Sequence, residues 1–385
     1  MEKFTITVTT AFGVEAVTKR EINNLGLDAG PAINGRISFL GTMLDVARLN
    51  MFLRTGERVL IEVAKFKATS FDELYDNIYN IRWQDIITKN GYIHILAKSK
   101  NSKLYALSAT QSITKKAIIE KLKTAYNTVI IPETGSKYIV EIAIDNDIVT
   151  VNLDTTGEPL HKRGYRDLSV EAPMKETLAS AIILLSVFNK DKPMIDAFTG
   201  SGTFAIESAR FALNIASGID RKFLYTSWKN FDSKYYSLAL EEAENNIIYG
   251  QKLRINAFDI DNNCISIARH HAKRARVENH IHFQQMDMRN ISSKYSYGVM
   301  FANPPYGERL LKEREIKLLY KDINTMFYNL DNWSLYLITA YPEFEKAFNK
   351  KADKNRKLFN GNIECKLYQY MGKKPTKQYN NSNKW

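Results

Sequence analysis

The chain has 385 residues, with 54 Lys and Arg against 42 Asp and Glu, for a formal net charge of +12. That length suits two or three domains, and the basic excess favours a polyanionic partner. Cys264 and Cys365 are too few for a disulfide framework and point to a reducing compartment, and the longest apolar stretch, Ala181 to Leu185, is far too short for a bilayer span of about 20 residues.

The first residues, Met1-Glu2-Lys3-Phe4, show no basic-then-apolar signal pattern, so a cytoplasmic location is expected. Phe4 to Thr9 alternate as a strand. Val14 to Leu25 read as a helix stopped by Gly26, then Ile37 to Leu40 as a strand and Leu44 to Phe52 as a helix. The rhythm repeats with a strand at Val59 to Val63, a helix at Phe71 to Ile78, a strand at Ile93 to Ala97 and a helix at Ile113 to Tyr126. Tyr138 to Ile144 and Ile148 to Asn152 form a hairpin turning on Asp145-Asn146-Asp147. Two small α+β units are therefore expected, 1–55 and 56–155. Lysines gather around the second, at Lys98, Lys100, Lys103, Lys115, Lys116, Lys121 and Lys123. A lysine run is usually a solvated face, but here the excess is chain-wide and suits RNA or DNA.

A connector follows, 156–172, containing His161-Lys162-Arg163-Gly164-Tyr165-Arg166. It reads as a grip on RNA backbone or a flipped base, or as a basic interdomain linker turning on Gly164. Pro193 to Glu207 then read as strand, Gly-rich turn and helix, with Asp196 at the strand end and Gly200 and Gly202 in the turn. The turn has no Gly-Lys-Ser/Thr, so it is not a Walker loop. A carboxylate at Asp196 is poorly placed for pyrophosphate and well placed for a cationic amino group. The strand Ile255 to Phe258 ends at Asp259, positioned to accept both hydroxyls of a ribose, while Asp261 or Asn262 caps the next helix. Ile281 to Gln285 form another strand, and Asp287 beyond it either accepts from an adenine amine or is a surface loop acid.

Gly298 to Ala302 read as the end of a buried strand, followed by Asn303-Pro304-Pro305-Tyr306. The prolines stop the ladder and stiffen the turn, so the carbonyls of Asn303 and Pro304 hold fixed directions. Two oxygen acceptors beside an aromatic face suit a planar base whose exocyclic amine must be held. His270 and His271 are neighbours on one helix and point apart, which makes them poor joint ligands; they read as surface residues. No Cys-x-x-Cys or His-Glu-x-x-His occurs, so no metal site is expected. The tail from Lys373 to Trp385 is polar and expected to be mobile.

Four such strand tips in this order resemble the class I S-adenosylmethionine-dependent methyltransferases that methylate amines. The resemblance covers residues 190 to 370. It implies an α/β, Rossmann-like domain, 173–372, binding S-adenosylmethionine, with Asp196, Thr199, Gly200 and Gly202 flanking the methionine part. Asp259 would hold the ribose and Asp287 the adenine amine. Asn303, Pro304 and Tyr306 would hold the target base. The front of the chain resembles a THUMP RNA-binding domain preceded by a ferredoxin-like module, on Arg58 to Ala68, Leu74 to Trp83 and Ala109 to Lys116. Gly157 to Arg166 and Ala172 to Ala179 match the connector of THUMP-containing guanine methyltransferases. The likeness is closest to bacterial enzymes acting on the N2 amine of a guanine in large-subunit ribosomal RNA, and weakest over 210 to 250. RNA is the implied partner, ribosomal first and transfer RNA second, with Lys115, Lys116, His161, Lys162, Arg163 and Arg166 as candidate contacts. Three rivals are a transfer-RNA guanine methyltransferase of the same fold, a DNA adenine methyltransferase, and an RNA-binding protein with a vestigial methyltransferase domain.

Overall fold

The computed structural model describes residues 3–168, 174–305 and 313–374. The chain forms two compact units. The first takes the chain up to Thr10, then Lys19–Leu160 and Gly218–Ala243; the second takes Ala11–Thr18, His161–Ser217 and the chain from Glu244 onward.

The elements up to residue 154 are β1 (Phe4–Thr10), α1 (Glu15–Asn24), β2 (Ala32–Ile33), β3 (Arg36–Gly41), α2 (Met43–Phe52), β4 (Gly56–Lys67), α3 (Phe71–Asn80), β5 (Tyr92–Lys100), α4 (Leu107–Tyr126), β6 (Lys137–Asp145) and β7 (Ile148–Asp154). Their seven strands make one sheet, in the order β2-β3-β1-β4-β7-β6-β5. The two modules expected as 1–55 and 56–155 therefore share a sheet, and β4 is the strand they share. Its first half pairs antiparallel with β1, from Gly56 to Ile61, and its second half with β7, from Leu60 to Lys67. Local signals set the helix starts. Thr42 and Asp45 close a capping box on α2, and Ser70 caps α3. Asn127 stops α4 in the left-handed region at φ 45°.

The stretch Gly218–Ala243 interrupts the second unit's sequence and belongs to the first. The Gly218 N–H donates to the Met51 carbonyl (2.8 Å), where a side chain at 218 would clash with the backbone of Asn50. Trp228 stacks on Tyr138 (5.3 Å, 14°) and donates from Nε1 to the Lys137 carbonyl (2.9 Å). Arg48 makes a fork to Glu242 (2.8 and 2.9 Å). This stretch lies inside the span expected as the methyltransferase domain, 173–372, and packs with the first unit.

The second unit contains α5 (Glu176–Leu185), β8 (Met194–Asp196), α6 (Thr203–Ala212), the end of α7 (Lys234–Asn245), β9 (Ile255–Asp259), α8 (Asn262–Arg274), β10 (Ile281–Gln285), β11 (Val299–Ala302), α9 (Glu313–Tyr328), β12 (Ser334–Thr339), α10 (Phe344–Ala347), β13 (Lys354–Asn360) and β14 (Ile363–Tyr370). Its sheet runs β10-β9-β8-β11-β12-β14-β13. The first five are parallel, and β14 and β13 add as an antiparallel hairpin on the β12 edge. Central strands are apolar because helices cover both faces: every residue of β11 is fully buried. From β8 the chain winds outward through β9 and β10, then returns to β11 on the other side of β8. That reversal opens a crevice at the carboxyl ends of β8 and β11, the place where open α/β sheets bind ligands.

Candidate active site

A cavity of about 590 Å3 occupies this crevice. Asp196, Thr199, Gly200, Asp259, Asp287, Asn303 and Pro304 all line it. Tyr306 lies outside the described residues, as do Ala172, Pro173 and the tail from Pro375 on.

The Gly loop joins β8 to α6. Gly200 takes φ +50° with open space where a Cβ would stand, so backbone there can meet a ligand. Gly202, at φ +87°, is the N-cap of α6 and is absent from the cavity lining. A Cβ on it would come within 3.1 Å of Ala268 Cβ and Ile206 Cδ1, so its role is close packing of α6 against α8. Asp259 is fixed through both oxygens: Oδ2 accepts from the Gly200 N–H (2.8 Å) and Oδ1 from the Asp261 N–H (3.0 Å). The tip of β9 thereby carries the Gly loop. Asp261 caps α8 through the Asn263 N–H (2.8 Å).

Asp196 is 1% exposed, and neither of its carboxylate oxygens makes a well-formed hydrogen bond. The donors nearest to it are the Thr199 hydroxyl, which also reaches the Asp196 main-chain carbonyl (3.5 Å), and the backbone N–H groups of Ala205 and Phe198. Burial, aided by the charge of Asp259, pushes the Asp196 carboxyl up to about 7. An unpartnered buried carboxylate is costly unless something supplies donors. Across the switch point, Asn303 Oδ1 is buried without a partner. Two buried acceptors thus stand on the wall of one cavity: the Asn303 oxygen has no partner, and burial outweighs the donors that reach Asp196. Asp287 is occupied differently. Its carboxylate accepts from the Arg289 backbone (2.9 Å) and guanidinium (2.6 Å), and these bonds hold its pKa below the ordinary value.

Several lining residues were not anticipated. Phe198, Ile260, Met286 and Met288 flank the expected acids and give the cavity apolar surface, and Leu318 and Leu319 of α9 add to it. Ile260 is 66% exposed directly after Asp259, an apolar side chain at a strand tip that the sequence could have flagged. Among the described residues no group of three His, Cys, Asp or Glu could hold a metal ion, and no helix is long and apolar enough to cross a membrane.

The candidate RNA contacts divide between the units. In the first, Lys115 pairs with Glu133 (2.9 Å), while Lys116 is exposed with its ammonium 5.9 Å from the Tyr75 ring centre. In the second, His161 is half-buried and Lys162 exposed. Arg163 and Arg166 turn inward, which corrects the expectation that they grip RNA. Arg163 is 1% exposed, 3.8 Å from Glu207, whose carboxylate also accepts from Tyr165 (3.1 Å) and Ser180 (2.7 Å). Arg166 pairs with Glu176 (2.6 Å) and donates to the Met174 carbonyl (2.9 Å). Around Arg163 and Arg166 the connector is a strap held by buried acids. His271 is also buried, at 0% exposure, contrary to its expected surface position.

Comparison with known proteins fits this geometry. Residues 163–369 match the RMKL-like methyltransferase domain, 5–60 the RlmL ferredoxin-like domain and 68–154 the THUMP domain. The chain is 40% identical over 375 residues to "Putative RNA methyltransferase YpsC" of Bacillus subtilis (strain 168), covering 97% of each. It is 30% identical to the Ribosomal RNA large subunit methyltransferase K/L of Buchnera aphidicola subsp. Acyrthosiphon pisum (strain APS), over 92% of this chain and 52% of that protein. The chain therefore spans about half the length of that relative. Among solved structures, SMU.472 complexed with SAH superposes with a TM-score of 0.92 at 38% identity, over 98% of this chain and 100% of that one.

Proposed function

The chain belongs to the RMKL-like methyltransferase family, and from that premise we propose that it methylates the exocyclic N2 amine of a guanine in large-subunit ribosomal RNA. S-adenosylmethionine is the cofactor, SAH being its demethylated product and the ligand in the SMU.472 structure. The observation that carries the reading is the pair of buried acceptors, Asp196 and Asn303, on one cavity at the switch point.

The residues suit the cofactor. Asp196 would offer a carboxylate to its amino group, Asp259 to its ribose, and Asp287, on the same cavity wall, to the adenine amine. Apolar Ile260, Met286 and Met288 provide surface for a flat ring. Once bound, S-adenosylmethionine supplies a methyl group on an excellent sulfonium leaving group. What remains for the chain is alignment. The Asn303 Oδ1 and the Pro304 carbonyl accept the hydrogens of the target amine, pyramidalise the nitrogen and turn its lone pair toward the cofactor side of the cavity. No strong base is needed, because the amine proton becomes acidic only after the methyl has arrived. A paired target base must leave its helix first, at roughly a few kcal/mol, and less from an unpaired loop. The THUMP domain and the chain's charge of +12 support RNA as the polyanion.

The test incubates the full chain with methyl-labelled S-adenosylmethionine and unmodified transcripts of ribosomal RNA or transfer RNA, then identifies the labelled nucleoside. N2-methylguanosine from ribosomal RNA is expected. Label only in transfer RNA would move the substrate and keep the chemistry. Cofactor binding with no label in either RNA would favour a vestigial methyltransferase domain on an RNA-binding protein.

A further inference from the structure

His270 and His271 are adjacent on α8, and only His271 turns fully inward. Its ring bridges two backbone groups. Nδ1 lies 3.0 Å from the Ser201 carbonyl oxygen, and Nε2 lies 3.3 Å from the Leu168 backbone nitrogen. A carbonyl only accepts and an N–H only donates. The Asp167 carboxylate also lies 3.7 Å from Nε2, beyond hydrogen-bond distance, and its charge favours the cation, but the Leu168 N–H already occupies that nitrogen; a ring making both backbone bonds is neutral and carries its proton on Nδ1. Burial keeps its pKa below the usual histidine value, which favours that form.

Of the two groups it joins, Ser201 borders the cavity and Leu168 belongs to the strap whose Arg166 holds Met174. Ser201 belongs to the Gly loop and lines the cavity wall. Leu168 ends the described strap, and the chain returns at Met174, which lines the same cavity and is held by Arg166 through its carbonyl. Arg274, on the next turn of α8, secures the strap further by donating to the carbonyls of Gly164 and Tyr165 (3.1 Å each). The Gly loop itself contains two residues at positive φ, Gly200 and Gly202, so its backbone has much freedom to lose on ordering.

We propose that His271 is a positioning residue for cofactor binding, its neutral imidazole fixing the Ser201 carbonyl, and with it the Gly loop, against the connector strap. The inference rests on the cavity being the S-adenosylmethionine site. His271 touches no ligand and acts through the loop, much as outer-shell partners orient the groups that do touch a ligand.

SAH is titrated into the full chain as wild type, His271→Leu and His271→Gln, with amide exchange followed at Gly200 to Gly202. Loss of the bridge should weaken SAH about tenfold in His271→Leu, the order expected for one or two buried hydrogen bonds, and speed exchange in the loop. The amide of His271→Gln can donate to Ser201 and accept from Leu168, so it should recover most of the affinity. SAH affinity in His271→Leu within twofold of wild type, whatever its Tm, overturns the proposal. Should His271→Leu fail to fold, the ring-nitrogen shifts of wild-type His271 decide: the Nδ1–H tautomer at neutral pH supports it, and the Nε2–H tautomer or the cation overturns it. A wild type that does not bind SAH defeats the cofactor reading itself, and this inference with it.

Discussion

Lowering the pH from 7.5 to 5.5 should weaken cofactor binding through one residue, Asp196. Burial and the neighbouring Asp259 raise its carboxyl to about 7 from an ordinary 3.8. The folded chain without ligand therefore holds a proton, across the range between those values, that the unfolded chain has released. The sign follows: this group's contribution to stability is fully present below 3.8 and is lost as pH rises through 7. Ligand binding has the opposite slope, because a cationic amino group requires the carboxylate. With a pKa near 7 the carboxylate fraction rises from roughly 3% at pH 5.5 to roughly 76% at pH 7.5, so affinity should grow roughly 25-fold and then level off. Calorimetric titration of SAH at five pH values measures this directly. Asp196→Asn, which keeps the shape and removes the charge, should bind weakly with a flat profile. A wild-type affinity that changes less than twofold across the range would refute the reasoning, and so would an equal slope in Asp196→Asn.

Asp259→Ala should weaken SAH by about tenfold or more, since it removes the proposed ribose acceptor and also releases the Gly200 N–H, with charge-assisted bonds worth about 1.5–3 kcal/mol each; unchanged affinity in a titration removes the ribose assignment. Gly202→Ala should lower Tm, because φ +87° and the 3.1 Å approach to Ala268 exclude a side chain at a cost of about 1 kcal/mol or more; a Tm equal to wild type in calorimetry contradicts this. Arg163→Ala should cost about 3–5 kcal/mol in denaturant unfolding, as expected when a buried partner of Glu207 is removed, and leave the salt dependence of RNA binding unchanged. Lys116→Glu should do the reverse, weakening RNA binding and flattening its salt slope by about one unit with little change in stability; a normal salt slope in filter binding takes Lys116 off the RNA face.

The two parts of the account differ in how far the sequence alone reveals them, and the reason is physical. Strand tips are local events. An apolar run ending in Asp196, Asp259 or Asn303 shows both the buried strand and the polar group placed at its end, and the structure sets these residues on one cavity. Burial of a charged side chain is a long-range event. Arg163 and Arg166 look like solvent-facing cations until Glu207 and Glu176 fold against them. His271 reads as surface for the same reason, since its partners at Ser201 and Leu168 are far away in the chain. The sharing of β4 between two modules is equally hidden, because twelve residues of strand carry no sign of which half pairs with β1 and which with β7. The excursion Gly218–Ala243 left one trace, the weak likeness over 210 to 250, while the stacking of Trp228 on Tyr138 could not be inferred from either residue's neighbours.

The measurement closest to the central claim compares wild type with Asn303→Ala, following SAH affinity and methyl transfer to ribosomal RNA together. The account predicts that SAH affinity stays within about threefold while the transfer rate falls by roughly a hundredfold or more, the order seen when an oriented polar group is removed from a reacting centre. The label should appear on the N2 amine of guanosine. Undiminished transfer in Asn303→Ala, or label on a ring carbon or a ribose oxygen, would contradict it.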